Sequence, residues 1–386
     1  MESAGGKKAL SPMMRQYQGM RKSLPADVLL LFRLGDFYEM FFQDAVEAAG
    51  ILNVALTKRN GVPMCGVPHH ASKTYIAKLV RAGRRVALAE QTSEPKPGKI
   101  VDREIAHVIS AGTIDDLDLL ENTRHHYLAA VCRVGKTEGL AFLDLSTGDF
   151  HVAEFVALAA MEDELARIGP SEILYADDLQ EAPKWPNAQA YDGYAFLPDQ
   201  AREMLQEHFK VHSLDGFGCE GMDAAIGAAG AILHYLRYQL RRQFEHVRRL
   251  TPMASDAYVQ IDAASQANLE LVQSPSGGKH TLLSAMDRTR TPMGARLLRD
   301  WILHPLRDLK QLTERQDLIE AFLGEPFLLE KCRQALQGIR DIERTVVRLA
   351  QGNGNARDLL SLAHSLGRIP ELREHLQALP DGGSSG

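Results

Sequence analysis

Cysteine is scarce in this 386-residue chain: four residues, Cys65, Cys132, Cys219 and Cys332, with no C-x-x-C pair among them. That excludes a disulfide scaffold, argues against paired structural thiolates and makes a reducing cytoplasm the expected compartment. No stretch approaches the ~18 consecutive apolar residues of a membrane-spanning helix. The opening MESAGGKKAL has two lysines but no apolar run behind them, unlike a secretory signal. With 31 glycines and 17 prolines, chain breakers are at ordinary abundance, which rules out collagen-like and low-complexity classes. A phosphate-binding loop is missing too. Gly135-Lys136-Thr137 has the last letters of G-x-x-x-x-G-K-[ST], but Ala130 stands where the first glycine belongs, and Gly278-Lys279-His280 lacks the hydroxyl residue. Both read as ordinary turns, so this chain is not expected to bind or hydrolyse ATP.

What is present is a packed globular composition, 45% hydrophobic and 24% charged, with length for two or three domains. The formal charge of -6 hides an asymmetry. Residues 1–116 carry 16 basic and 12 acidic side chains, residues 117–250 carry 12 and 21, and residues 251–386 carry 16 and 17. A basic module inside an acidic chain remains a nucleic-acid candidate, because affinity for a polyanion comes from local phosphate neutralisation.

Periodicity also ends a first, mixed α/β domain near Asp116. Val28 to Leu34 is an apolar run suited to a buried strand, broken by Gly35-Asp36. Helical spacing is read over Tyr38 to Asn53 and Tyr75 to Arg81, and a strand over Arg85 to Glu90. Residues 92–99, with two prolines, read as a rigid polar loop. Tyr127 to Val134, Leu140 to Leu145 and Asp149 to Phe155 read as a meander of buried strands, followed by a helix over Met161 to Ile168 and a strand over Glu172 to Tyr175. Residues 182–200 read as loop. From about Gly227 helical patterns dominate, beginning with Ala231 to Arg249, whose basic tail suits a helix C-terminus.

Several residues invite a chemical reading. The adjacent pairs His69-His70 and His125-His126 point apart on regular structure and are assigned turn, cap or surface roles rather than a metal. Asp144 at the centre of a strand, with Asp149 nearby and Glu162, Asp163 and Glu164 on a helix, is how a two-metal nuclease could begin. The Ser146-Thr147-Gly148 that follows offers the alternative of a turn cap. Leu34-Gly35-Asp36-Phe37-Tyr38-Glu39 is the most unusual run. On an extended backbone Phe37 and Glu39 share a face, Tyr38 points away, and a projecting ring beside a carboxylate can wedge between bases and meet a base edge. A core phenylalanine and a surface glutamate at a helix start is the other reading.

The run Arg33 to Phe42 (RLGDFYEMFF) resembles the mismatch-recognition motif of the bacterial MutS family of DNA mismatch repair proteins. Ser11 to Tyr17, Leu56 to Arg59, Val62 to Ala71, Gly112-Thr113, Gly139 to Gly148, Thr281 to Leu283 and Arg296 to Trp301 agree with the same family, so the resemblance covers roughly residues 10 to 375. It implies an α/β mismatch-binding domain (1–116), an α/β connector domain of ribonuclease H-like topology without nuclease activity (117–250), and the first part of a mainly α-helical core or lever domain (251–386). Phe37 matches the family's intercalating phenylalanine and Glu39 its base-contacting glutamate. Lys58, Arg59, Lys96 and Lys99, in or beside glycine- or proline-containing loops, are the expected contacts to DNA phosphates. The implied partner is double-stranded DNA with mismatches or small unpaired loops, together with a second copy and other repair proteins, in the bacterial cytoplasm and at the nucleoid. No cofactor is expected here. ATP and magnesium belong to an ATPase domain that the family carries beyond these modules. A carboxylate-dependent nuclease centred on Asp144 and a pure protein-interaction scaffold stay as alternatives.

Overall fold

The computed structural model describes residues 11–93, 101–114, 121–179, 181–254 and 257–379. Two compact units emerge: residues 1–111 with 236–242, and residues 112–235 with 243–386.

In the first unit α1 (Pro12–Lys22) starts at a proline, with the Ser11 side chain accepting from the Met14 N–H. The strands β1 (Val28–Leu34) and β2 (Phe37–Phe41) form a hairpin in which Leu34 faces Phe37. Gly35, at φ +58°, supplies the left-handed residue that a two-residue hairpin loop requires. Next come α2 (Phe42–Leu52), β3 (Thr57–Arg59), β4 (Val62–Pro68), α3 (Ser72–Arg81), β5 (Arg85–Gln91) and β6 (Arg103–Ile109), giving a six-stranded sheet in the order β3-β4-β2-β1-β5-β6. The central β1 is buried from Val28 to Phe32, which is why its sequence is a continuous apolar run. Asp44 is buried and accepts from Tyr17 Oη, Arg21 Nε and the Leu30 N–H, tying α1, α2 and β1 together. The outer edge of β6 is met by residues 236–242: the Val108 N–H donates to the Leu240 carbonyl at 2.9 Å, and Arg241 reaches the Ile105 carbonyl.

In the second unit β7 (Tyr127–Val134), β8 (Thr137–Asp144) and β9 (Asp149–Phe155) form the expected antiparallel meander. Helix α4 (Leu158–Ile168) leads to β10 (Glu172–Ala176), parallel to β7, and β11 (Ala188–Tyr191) lies parallel to β10. The order β11-β10-β7-β8-β9 and these directions agree with the ribonuclease H-like expectation. After α5 (Pro198–Phe209), α6 (Asp223–His234) crosses the sheet so closely that a Cβ at Gly139 would lie 2.1 Å from the Ala224 carbonyl carbon. The short β12 (Thr251–Pro252) adds to β9. The rest is helical: α7 (Ala263–Asn268), α8 (Leu282–Met286), α9 (Pro292–Leu303), α10 (Leu309–Gly324), α11 (Pro326–Gln337), α12 (Ile342–Ala350), α13 (Ala356–Gly367) and α14 (Ile369–Gln377). Side chains of Thr291, Asp308, Asp341 and Asn355 cap α9, α10, α12 and α13. No helix among the described residues is long and apolar enough to cross a membrane.

Three local expectations are corrected. The helix read from Tyr38 begins only at Phe42, because residues 37–41 pair with both β1 and β4 as an interior strand. The helix read over Ala231 to Arg249 ends at His234, passes through one π turn (Tyr235–Gln239) and stops before Arg241, whose φ is +53°. Of its basic tail only Arg237 lies in the last helical turn; Arg241, Arg242, Arg248 and Arg249 fall beyond it. Within 182–200, read as loop, lie β11 and the start of α5.

Candidate nucleic-acid interface

Alternation along β2 sorts its side chains. Tyr38 and Met40 are buried, whereas Phe37, at the turn, leaves 48% of its surface in solvent. An aromatic ring this exposed beside a tight turn is not a core residue, which removes the bland alternative for Phe37. Glu39 lies on the Phe37 face, in register with Gly66 of β4. A Cβ on Gly66 would sit 3.4 Å from Glu39 Cγ, so the glycine leaves the carboxylate room to lie along the sheet.

The turn is braced from behind. The Tyr38 hydroxyl donates to Glu90, and the Arg33 guanidinium lies 5.7 Å from the centre of the Tyr38 ring. Burial, then the bond to Glu90, pushes the Tyr38 phenol well above its usual range, so it stays a donor. Arg33 Nε donates to the Gly35 carbonyl, and the His69 N–H donates to the Asp36 carbonyl at 2.8 Å. Sequence reasoning missed Arg33 and Glu90 as supports. The alternation that flagged Phe37 also placed Tyr38 on the opposite face, and that was the only signal available.

Lys58 and Arg59 are exposed on the edge strand β3. Arg59 is engaged: its Nη1 donates to Glu39 Oε2 at 2.6 Å. Lys96 and Lys99 lie outside the described residues.

Asp144 is fully buried at the end of β8. One carboxylate oxygen accepts from the Ser146 N–H and hydroxyl, at 2.9 and 2.6 Å. The other meets His125 Nδ1 at 2.9 Å and the His126 N–H at 3.2 Å, with Arg344 at 3.8 Å. Burial works against the charged carboxylate, but His125, Arg344 and Ser146 more than offset it and hold Asp144 well below the usual carboxylate range. Burial likewise opposes a charged His125, yet the hydrogen bonds to Asp144 and Asp300 prevail and raise it to about 9. His125 is thus a buried bridge between carboxylates, a correction to its turn or surface assignment. Trp185 donates to Glu162, the Ala263 N–H donates to Asp163, and Glu164 pairs with Arg167 and His304. These carboxylates do not converge on Asp144. No group of three or more His, Cys, Asp or Glu side chains among the described residues is placed to hold a metal. Gly135-Lys136 forms the two-residue turn between β7 and β8.

Comparison with known proteins matches three successive segments of the chain. Residues 11–118 match MutS domain I, residues 126–248 match MutS domain II and residues 264–384 match MutS domain III. The chain is 38% identical over 384 residues to the DNA mismatch repair protein MutS of Protochlamydia amoebophila, covering 96% of this chain and 45% of the relative. It is 38% identical over 386 residues to the MutS of Halothermothrix orenii (96% and 43%) and 40% identical over 392 residues to that of Syntrophobacter fumaroxidans (96% and 43%). The chain therefore spans less than half the length of these curated relatives. None of the three matched modules is catalytic or an ATPase.

Proposed function

Because the chain belongs to the MutS family and comprises its domains I–III, we propose that it recognises mispaired or unpaired bases in duplex DNA through the Phe37 face of the first unit. Phe37 wedges at the defective pair from the minor groove and Glu39 contacts a base edge. Unstacking a step costs a few kcal/mol, least where pairing has already failed, so the ring samples defects preferentially. Lys58 contacts phosphates, as do Lys96 and Lys99 from the segment outside the described residues, and these contacts position the duplex without reading sequence; Arg59, engaged with Glu39, reaches a phosphate only when that pair opens. In the longer relatives' setting, ATP and magnesium act at a separate ATPase domain, and a second copy and other repair proteins are the partners, in the cytoplasm.

One observation carries the proposal: a half-exposed phenyl ring held at a braced hairpin turn, with a carboxylate two residues on along the same face. Competition titration against a G·T duplex and its matched control tests it. Base stacking is worth ~1–3 kcal/mol, so Phe37→Ala should lose most of the mismatch-to-match ratio. An unchanged ratio in a folded Phe37→Ala protein would remove the reading.

A further inference from the structure

We propose that Arg59 is a specificity-setting residue, a resident counter-ion that holds Glu39 until a displaced base takes its place; this rests on the function proposed above. The two residues are twenty apart in sequence and sit on strands that flank β4, yet Arg59 Nη1 and Glu39 Oε2 lie 2.6 Å apart. Arg59 is the only hydrogen-bond or ion-pair partner of the Glu39 carboxylate among the described residues. The Glu39 side chain is 14% exposed and that of Arg59 43%, so the carboxylate is partly withdrawn from water while its cation remains free to turn outward. The bare backbone of Gly66, beside Glu39, leaves the carboxylate space to move.

An unpaired carboxylate on a DNA-facing surface would repel every duplex, matched or not. Paired with Arg59 it presents no net charge. On a matched duplex the pair stays closed and Glu39 contributes nothing. At a disrupted pair a base N–H comes within reach, Glu39 exchanges the Arg59 N–H for it, and the released guanidinium turns to a phosphate. Selectivity then comes from an exchange of partners at one carboxylate together with the phosphate contact that the freed guanidinium gains, a differential that matched DNA does not offer. No proton has to move. The exchange is of partners only.

A double-substitution cycle reads this directly. Affinities of the unsubstituted protein, Arg59→Ala, Glu39→Gln and the combined variant are measured on matched and G·T duplexes at one low salt concentration. If the pair persists on matched DNA, the two substitutions act additively there. If it opens at the mismatch, only the unsubstituted protein bears the cost of opening, and the cycle on G·T DNA departs from additivity by about two- to fivefold, the range for a part-exposed ion pair. Arg59→Lys, which keeps the charge, should restore part of that departure. Both side chains lie at the surface, so matching thermal transitions exclude misfolding as the source. Additivity on both duplexes, or equal coupling on both, overturns the exchange while leaving the Phe37 reading intact. Binding to neither duplex overturns both together.

Discussion

At the scale of single residues, the proposed recognition face depends on which atoms are withheld from water. Glu39→Gln removes the negative charge but keeps the shape, so it should preserve or improve binding to matched DNA while narrowing the mismatch advantage. A parallel loss on both duplexes in the same competition titration would instead make Glu39 a general positioning group. The turn at Gly35 and the face that Phe37 and Glu39 share were legible in the sequence, because a glycine ends an apolar run and the alternation after it assigns faces. The Glu39–Arg59 pair was not. Arg59 looks like any exposed cation beside Asn60-Gly61, and only the pairing of β4 with both β2 and β3 brings it to the carboxylate. His125 was likewise misassigned, since the carboxylates that bury it come from residues 144 and 300, far away along the chain.

Elements carry a second layer of consequence. His125 joins the end of β8 to α9 by facing Asp144 and Asp300, with Asp149 3.9 Å away and Arg344 3.8 Å from the same Asp144 oxygen. Its folded pKa of about 9 lies above the unfolded value near 6.5. The stabilisation is therefore full below about pH 6.5 and lost as pH rises through about 9, on the order of 3 kcal/mol at most. Denaturant unfolding at pH 6 and pH 10 should show this loss in the parent and a smaller one in His125→Gln; equal losses would remove the bridge from the stability account. Asp144 acts in the opposite sense, its contribution present above about pH 4 and lost on acidification. Gly139→Ala probes sheet-to-helix packing. Its Cβ would overlap backbone of α6, which cannot yield as a flexible side chain does, so a loss of ~3 kcal/mol or more is expected from thermal or urea unfolding. The meander was plain from its apolar runs. The end of α6 was not, because the residues after it keep helical composition and leave the helix only to meet the edge of β6.

Across the whole molecule, the basic surplus of residues 1–116 should set how DNA affinity responds to salt. Every lysine withdrawn from a phosphate lowers the slope of log K against log salt by about 0.9, so Lys96→Ala with Lys99→Ala should reduce it by up to about 2 and weaken matched and mismatched duplexes alike. A change confined to mismatch preference would reassign those lysines. The hydrogen bonds between β6 and residues 240–241 have a consequence in time. The first unit cannot be completed as the ribosome releases it. Its six strands emerge first, but their outer margin waits for a segment made only after residues 112–235, ~6–25 s later at ordinary elongation rates. Until then β6 offers unpaired backbone to any neighbouring nascent strand, and a gene cut after residue 118 would make that temporary hazard permanent.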